Sequence, residues 1–154
     1  MSSCNKDEVC TTGYTGSSCT TQITPSKILV SKIEVIRFPG TDSGGSSWDL
    51  LPSSGPEIYP ILSRAGSEIW NSPTYVTDAN PNNSYSFNPS QPIELLYPLD
   101  TYTVSLYDYD GTSSDDFMGA INFPIYSNSN NFPSTLIVDA GGDVAFKLYL
   151  TYSF

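Results

Sequence analysis

Four carboxylate side chains fall within nine consecutive residues of this sequence, at Asp108, Asp110, Asp115 and Asp116. They follow an alternating apolar and polar run that is typical of a strand, so they occupy the turn after it. Carboxylates this close repel one another unless a positive charge lies between them. Calcium suits such a turn, because it takes about six to eight oxygen ligands in flexible geometry. The segment therefore predicts a calcium-binding loop, with a solvated acidic turn as the competing interpretation.

A second acidic segment could contribute ligands to the same site. Residues 39–56 form a long connection rich in Gly, Ser and Pro, and irregular loops of this length are usually functional or disordered. The acidic residues in and directly after it are Asp42, Asp49 and Glu57. An EF-hand does not explain the aspartate-rich turn, because that motif needs glycine at its sixth position and glutamate at its twelfth. Counted from Asp108, the glycines stand at the fourth and twelfth positions.

The composition of the 154-residue chain excludes several classes of function. Six basic and sixteen acidic residues give a formal net charge of −10. This charge argues against nucleic-acid binding and against unaided docking on anionic lipid. The sequence has no histidine, which removes histidine-based general bases, nucleophile triads and zinc ligands. No apolar run approaches the roughly 18 residues of a transmembrane helix. We expect neither enzyme activity nor a transmembrane segment.

The elements that must position these loops are short β-strands. Residues 102–107 and 144–152 alternate cleanly between apolar and polar side chains, and good helix formers are scarce. From Ile28 onward, short runs separated by Gly, Pro and Asn turns predict an all-β, eight-stranded antiparallel β-sandwich. Residues 75–77 are one of the expected strands, and the polar residues 20–27 are expected to be a linker.

The two acidic segments resemble the calcium loops of C2 domains. The string D-x-D-x-x-S-x-x-D-F-M-G, which begins at Asp108, is similar to the third calcium-binding loop of that family. The segment from Asp49 through Glu57 to Tyr59 resembles its first loop, and Asn80 with the following proline resembles a turn before its fourth strand. The resemblance extends over roughly residues 27–154. It implies a C2-like β-sandwich that binds calcium.

The resemblance also implies the ligand set for one or two Ca²⁺ ions. The implied ligands are Asp49, Glu57, Asp108, Asp110 and Asp116, with Ser113 as an auxiliary oxygen donor. Glu57 stands where the family usually has aspartate, and Asp42 is an alternative to Asp49 as the first ligand. Asp115 lies off the pattern and is expected to be solvated. The basic strand that binds phosphoinositides in some C2 domains has no counterpart here.

The role of three apolar residues in the first loop can be interpreted in two ways. Trp48, Leu50 and Leu51 flank Asp49. They could form a loop tip that enters a membrane or contacts a partner once calcium cancels the local charge. They could equally pack beneath the loop.

The cysteines all lie near the N-terminus, at positions 4, 10 and 19. The segment from Cys10 to Cys19, C-x-x-G-Y-x-G-x-x-C, resembles the last disulfide loop of an EGF-like module, which implies a Cys10–Cys19 disulfide. Cys4 follows two serines and precedes a charged stretch, which resembles the acylated start of a bacterial lipoprotein. The alternative is that Cys4 belongs to an incomplete EGF-like unit. A disulfide in either context indicates an oxidising, extracytoplasmic location.

Together these features predict two segments, an N-terminal one at residues 1–26 and the sandwich at residues 27–154. We expect an outer-membrane lipoprotein exposed at the bacterial surface, or a secreted protein. Its calcium-ordered loops would bind membrane lipid or a surface partner. The alternative is a calcium-stabilised structural or adhesive module that binds protein or glycan and has no lipid affinity.

Overall fold

The computed structural model describes residues 9–49 and 54–154, and every regular element in these ranges is a β-strand. We find no helix there with the length and apolar character needed to cross a bilayer. The strands are β1 Tyr14–Thr15, β2 Thr21–Gln22, β3 Lys27–Arg37, β4 Ile58–Arg64, β5 Ser67–Asn71, β6 Tyr85–Phe87, β7 Ile93–Leu95, β8 Thr101–Asp108, β9 Asp116–Pro124, β10 Thr135–Asp139 and β11 Ala145–Ser153. The predicted all-β class is confirmed.

Strands β3 to β11 form two antiparallel sheets. One has the order β10-β11-β3, with β6 and β7 both pairing with β3, and the other has the order β5-β4-β8-β9. β6 pairs with residues 33–35 of β3, and β7 pairs with residues 28–30. The two short strands therefore act as one edge strand that a turn interrupts. Counted this way, each sheet has four strands, which agrees with the predicted eight-stranded sandwich.

The core between the sheets follows from the two-residue period of the strands. In β8, Tyr102, Val104 and Leu106 are all fully buried, while the residues between them are half-buried. The next inward position in this alternation is Asp108, at the end of the strand. The periodicity that builds the core thus also places a carboxylate inside it.

The N-terminal residues form a two-stranded hairpin that a disulfide closes. Cys10 and Cys19 are bonded, and β1 pairs with β2. Gly13 and Gly16 have φ values of 93° and 91°, which side chains other than glycine adopt only with strain. The implied disulfide is confirmed.

Two expectations about the strands are wrong. Residues 20–27 are not a linker, because they contain β2 and the first residue of β3. Residues 75–77 do not form a strand. Val76 makes only an isolated bridge to Ile58, with each backbone N–H donating to the other residue's carbonyl. The segment turns away at once, since residues 77 and 78 are already in a turn.

Candidate metal centre

The acidic loops meet at the end of the second sheet where β4 begins, β8 ends and β9 begins. In the strand register, Ile58 pairs with Asp108, and Asp108 pairs with Asp116. Beyond this row, the backbone N–H of Tyr109 donates to the carbonyl of Glu57 at 2.8 Å. The first loop and the third loop are therefore joined where their acidic residues lie.

Three of the implied ligands come together at this junction. Asp49, Asp108 and Asp110 each offer a carboxylate oxygen, and these three oxygens lie within 4.8 Å of one another. Asp49 comes from the first loop and the other two from the end of β8 and the residues after it. Hard cations such as calcium are bound by carboxylates that converge in this way.

Asp108 gives the strongest indication that a cation belongs at this position. Its residue exposure is 0%, and its Oδ1 accepts a hydrogen bond from the backbone N–H of Glu57 at 2.6 Å. Its Oδ2 is buried and finds no hydrogen-bond partner among the described residues. Burial first, and the charges of Asp49 and Asp110 in addition, raise the pKa of Asp108 to about 6. A buried, unpartnered carboxylate oxygen beside two further carboxylates fits a divalent cation.

Two further carboxyl groups share the same negative field. Burial and then the charges of Asp116, Asp115 and Asp49 raise the pKa of Asp110. Burial raises the pKa of Glu57 as well, followed by the charges of Asp49, Asp78 and Asp110. Each pKa is raised because neighbouring negative charge adds to burial in disfavouring ionisation. The site is therefore assembled against electrostatic repulsion, which a bound cation would relieve.

The remaining implied ligands lie at the edge of this cluster. Asp116 is exposed at the first position of β9, and Ser113 is exposed in the turn that precedes it. Within the parts of the chain that the structure describes, the group of three oxygens does not extend to Glu57 or Asp116. These residues surround the cluster without closing on it.

The two alternatives for the first ligand have different surroundings in the structure. Asp42 uses its Oδ1 to accept hydrogen bonds from the backbone N–H groups of Gly44 and Ser46, at 2.9 and 2.8 Å. Such a bond pattern is a local turn that holds its own loop. Asp49, by contrast, has its carboxylate in the cluster.

Asp115 is only partly exposed and is held by hydrogen bonds, whereas the sequence predicted a solvated side chain. Its carboxylate accepts a hydrogen bond from the hydroxyl of Tyr59 at 2.5 Å and another from the backbone N–H of Asp110 at 3.0 Å. Burial, together with the bond to Asp115, raises the pKa of the Tyr59 hydroxyl. Asp115 therefore connects the third loop to β4 and fixes the backbone of Asp110.

Asp78 is an acidic neighbour that the sequence reasoning missed. Its charge acts on Glu57, and it stands beside Ala79, whose backbone N–H donates to the carbonyl of Pro56 at 2.8 Å. A Cβ at Gly55 would lie only 2.4 Å from the Ala79 carbonyl oxygen. This close approach holds residues 78–79 against the first loop. In the sequence, the turn-forming residues around Asp78 were the feature that could have indicated an acidic residue in a loop near the site.

The apolar residues beside the first loop are described only in part. Trp48 is half-buried and packs against the core, and its indole N–H donates to the carbonyl of Pro39 at 3.0 Å. Of the two interpretations, a membrane-entering loop tip or packing beneath the loop, the position of Trp48 agrees with packing. Leu50 and Leu51 lie outside the described residues, as does Cys4.

The fold is similar to solved structures, although neither a known protein family nor a curated protein matches the sequence. Human GIVD cytosolic phospholipase A2, in complex with an inhibitor and terbium chloride, aligns with a TM-score of 0.51 and 18% identity. The alignment covers 84% of this chain and 18% of the phospholipase chain, so this chain spans less than a fifth of its length.

Two isolated C2 domains also align with the chain. A C2 domain of plant extended synaptotagmin 1 aligns with a TM-score of 0.46 and 11% identity over 86% of this chain and 99% of that one. The second C2 domain, from BON1, aligns with a TM-score of 0.48 and 9% identity over 91% and 99% of the two chains. At these identities the comparisons concern the fold alone. The described sheets and the likeness to the phospholipase support a C2-like β-sandwich.

Proposed function

We propose that this chain is a calcium-binding C2-like module whose loops bind a membrane surface. The observation that carries the proposal is the buried, unpartnered Oδ2 of Asp108 beside the carboxylates of Asp49 and Asp110. These three residues would hold the cation, and Glu57 and Asp116 would surround it. Calcium would supply positive charge at the point where the loops repel each other. The carboxylates would then hold both loops in one arrangement and present a less negative end of the sandwich.

Lipid is the partner we favour, for two reasons. The fold is similar to part of a protein named as a phospholipase, and the proposed cation would sit at an end of the sandwich, where loops can approach a surface. The five basic residues after residue 26 are scattered, and three of them, Lys27, Arg37 and Arg64, form ion pairs with acidic residues. Electrostatic attraction to anionic lipid would therefore depend on the bound cation rather than on a basic patch.

The context we propose is extracytoplasmic. The Cys10–Cys19 disulfide supports an oxidising compartment, and an EGF-like character of the hairpin that it closes is part of this proposal. Acylation of Cys4 would make the chain a surface lipoprotein of a bacterium, and without it the chain would be secreted. At extracellular calcium concentrations of about 1 mM even a weak site is occupied, so calcium would act as a structural component rather than as a switch.

A calcium-stabilised adhesive module without lipid affinity is the second candidate. Tyr75 and Tyr109 stack beside the metal loops, with ring centroids 4.5 Å apart and planes 12° from parallel. Both rings are exposed. Aromatic faces next to polar groups suit glycans and protein surfaces as well as lipid headgroups.

Flotation with phosphatidylcholine and phosphatidylserine vesicles separates these candidates. We expect the protein to float with calcium and to remain in the soluble fraction with a chelator. Asp110→Asn should lose flotation, while Asp42→Asn, which removes the same charge outside the cluster, should retain it. Failure of the unaltered protein to float, despite measured calcium binding, would contradict the lipid function and favour the adhesive one.

A further inference from the structure

The N-terminal hairpin is fixed to the sandwich at one end. The rings of Tyr14 and Phe132 pack in a T-shaped arrangement, with centroids 5.3 Å apart. The Gln22 side chain donates from Nε2 to the carbonyl of Ser127 at 3.2 Å and accepts at Oε1 from the backbone N–H of Asn131 at 2.6 Å. These contacts leave the hairpin little freedom to rotate. Whatever precedes Val9 in the chain therefore starts from a defined position.

This position lies at the end of the sandwich opposite the metal centre. β3 begins at Lys27, directly after the hairpin, and pairs there with the end of β11. It ends at Arg37, before the loop that carries Asp49. Eleven strand residues at about 3.3 Å each separate the two ends by about 35 Å. The contacts of the hairpin with residues 127–132 agree with this placement, because these residues follow the distal end of β9.

We propose that a chain anchored through Cys4 presents the calcium loops to a second membrane rather than to its own. This inference rests on the proposed function. Residues 4–8, which join this cysteine to the hairpin, can span at most about 18 Å when fully extended, which is less than the length of the sandwich. The loops thus cannot turn back and insert tip-first beside the anchor. Lying flat would bring the sides of a chain with net charge −10 against the anchoring surface, which is unfavourable on anionic lipid.

The proposal can be tested by coupling the protein to vesicles at either end. Cys4 is coupled to maleimide-lipid in donor vesicles, and donor and acceptor vesicles alike contain phosphatidylcholine and phosphatidylserine, so that the loops can bind either membrane. The matched control couples the protein at the metal end, as Cys4→Ser with Ser114→Cys, because Ser114 is exposed in the third loop. Clustering of donors with acceptors is followed by light scattering with calcium and with chelator.

We expect calcium to cluster the vesicles that carry the protein through Cys4, and at least several-fold less clustering with the control. Absence of calcium-dependent clustering through Cys4, while the free protein floats with acceptor vesicles, would overturn the proposal and show that the loops reach their own membrane. Failure of the free protein to float would contradict the proposed function, and this inference with it.

Discussion

Replacing Asp108 by asparagine should stabilise the calcium-free protein while abolishing its calcium binding. Asparagine has the same shape, and its Oδ1 can keep the hydrogen bond from the backbone of Glu57. Its Nδ2 would take the place of the unpartnered Oδ2 and could donate to the carboxylates of Asp49 and Asp110. One buried negative charge would be replaced by a hydrogen-bond donor.

The magnitude follows from the raised pKa of Asp108. Burial raises this pKa from 3.8 to about 6, and each pKa unit corresponds to about 1.4 kcal/mol. Ionised Asp108 therefore costs the calcium-free protein about 3 kcal/mol at neutral pH. We expect Asp108→Asn to recover about 2–3 kcal/mol of unfolding free energy. In a domain of this size that raises Tm by about 5–10 °C.

Thermal unfolding of the two proteins in chelator, and then in calcium, measures this directly. Calcium should raise the Tm of the unaltered protein and leave that of Asp108→Asn unchanged. Asp42→Asn is the control, because it removes one charge from a turn outside the cluster. A calcium-free Asp108→Asn protein that melts below the unaltered protein would refute the reasoning, since it would mean that the ionised carboxylate stabilises the empty loops.

Three other outcomes follow from the structure. In chelator, denaturant unfolding should show the greatest free energy of unfolding near about pH 4. The pKa of Asp108 is raised to about 6, so stability is lost as pH rises towards that value, and the pKa of Asp139 is lowered to about 2 by its bond to an arginine, so stability is lost as pH falls towards that value. A free energy of unfolding that is constant between these two pH values would contradict this prediction. Replacing Cys10 and Cys19 together by serine should lower the unfolding free energy by about 2–3 kcal/mol in urea titrations, and an unchanged midpoint would argue against it. Gly55→Ala should lower the unfolding free energy by about 1–3 kcal/mol and weaken calcium binding in calorimetry, because the added Cβ would lie 2.4 Å from a backbone carbonyl oxygen. An unfolding free energy and a calcium affinity equal to those of the unaltered protein would show that the loop can move away from this contact.

The fold and the centre of the site were accessible from the sequence because both depend on short-range patterns. The alternation through Tyr102, Val104 and Leu106 identified β8 and its buried face, and the spacing of the aspartates identified the loop after it. Continuing the same alternation by one step would also have identified Asp108 as the buried carboxylate. Strand periodicity and loop spacing are local properties, so a single sequence displays them.

The features that were missed depend on contacts between distant residues. Asp115 appeared solvated because its partner, Tyr59, lies 56 positions earlier on another strand. The supposed linker is structured because Gln22 reaches residues 127–131, more than 100 positions away. The sequence around Asp115 or Gln22 contains no periodic pattern that would reveal these distant partners. Such pairings follow from the sheet register rather than from the composition of either segment.

The most direct test of the account is a calorimetric titration of calcium into the chelator-treated protein. The three converging carboxylates and the unpartnered oxygen of Asp108 lead us to expect saturable heat for one or two sites. The same titration on Asp110→Asn should show the signal lost or strongly weakened. Absence of heat from the unaltered protein, with no change of Tm on adding calcium, would contradict the central claim and leave an acidic β-sandwich without a metal centre.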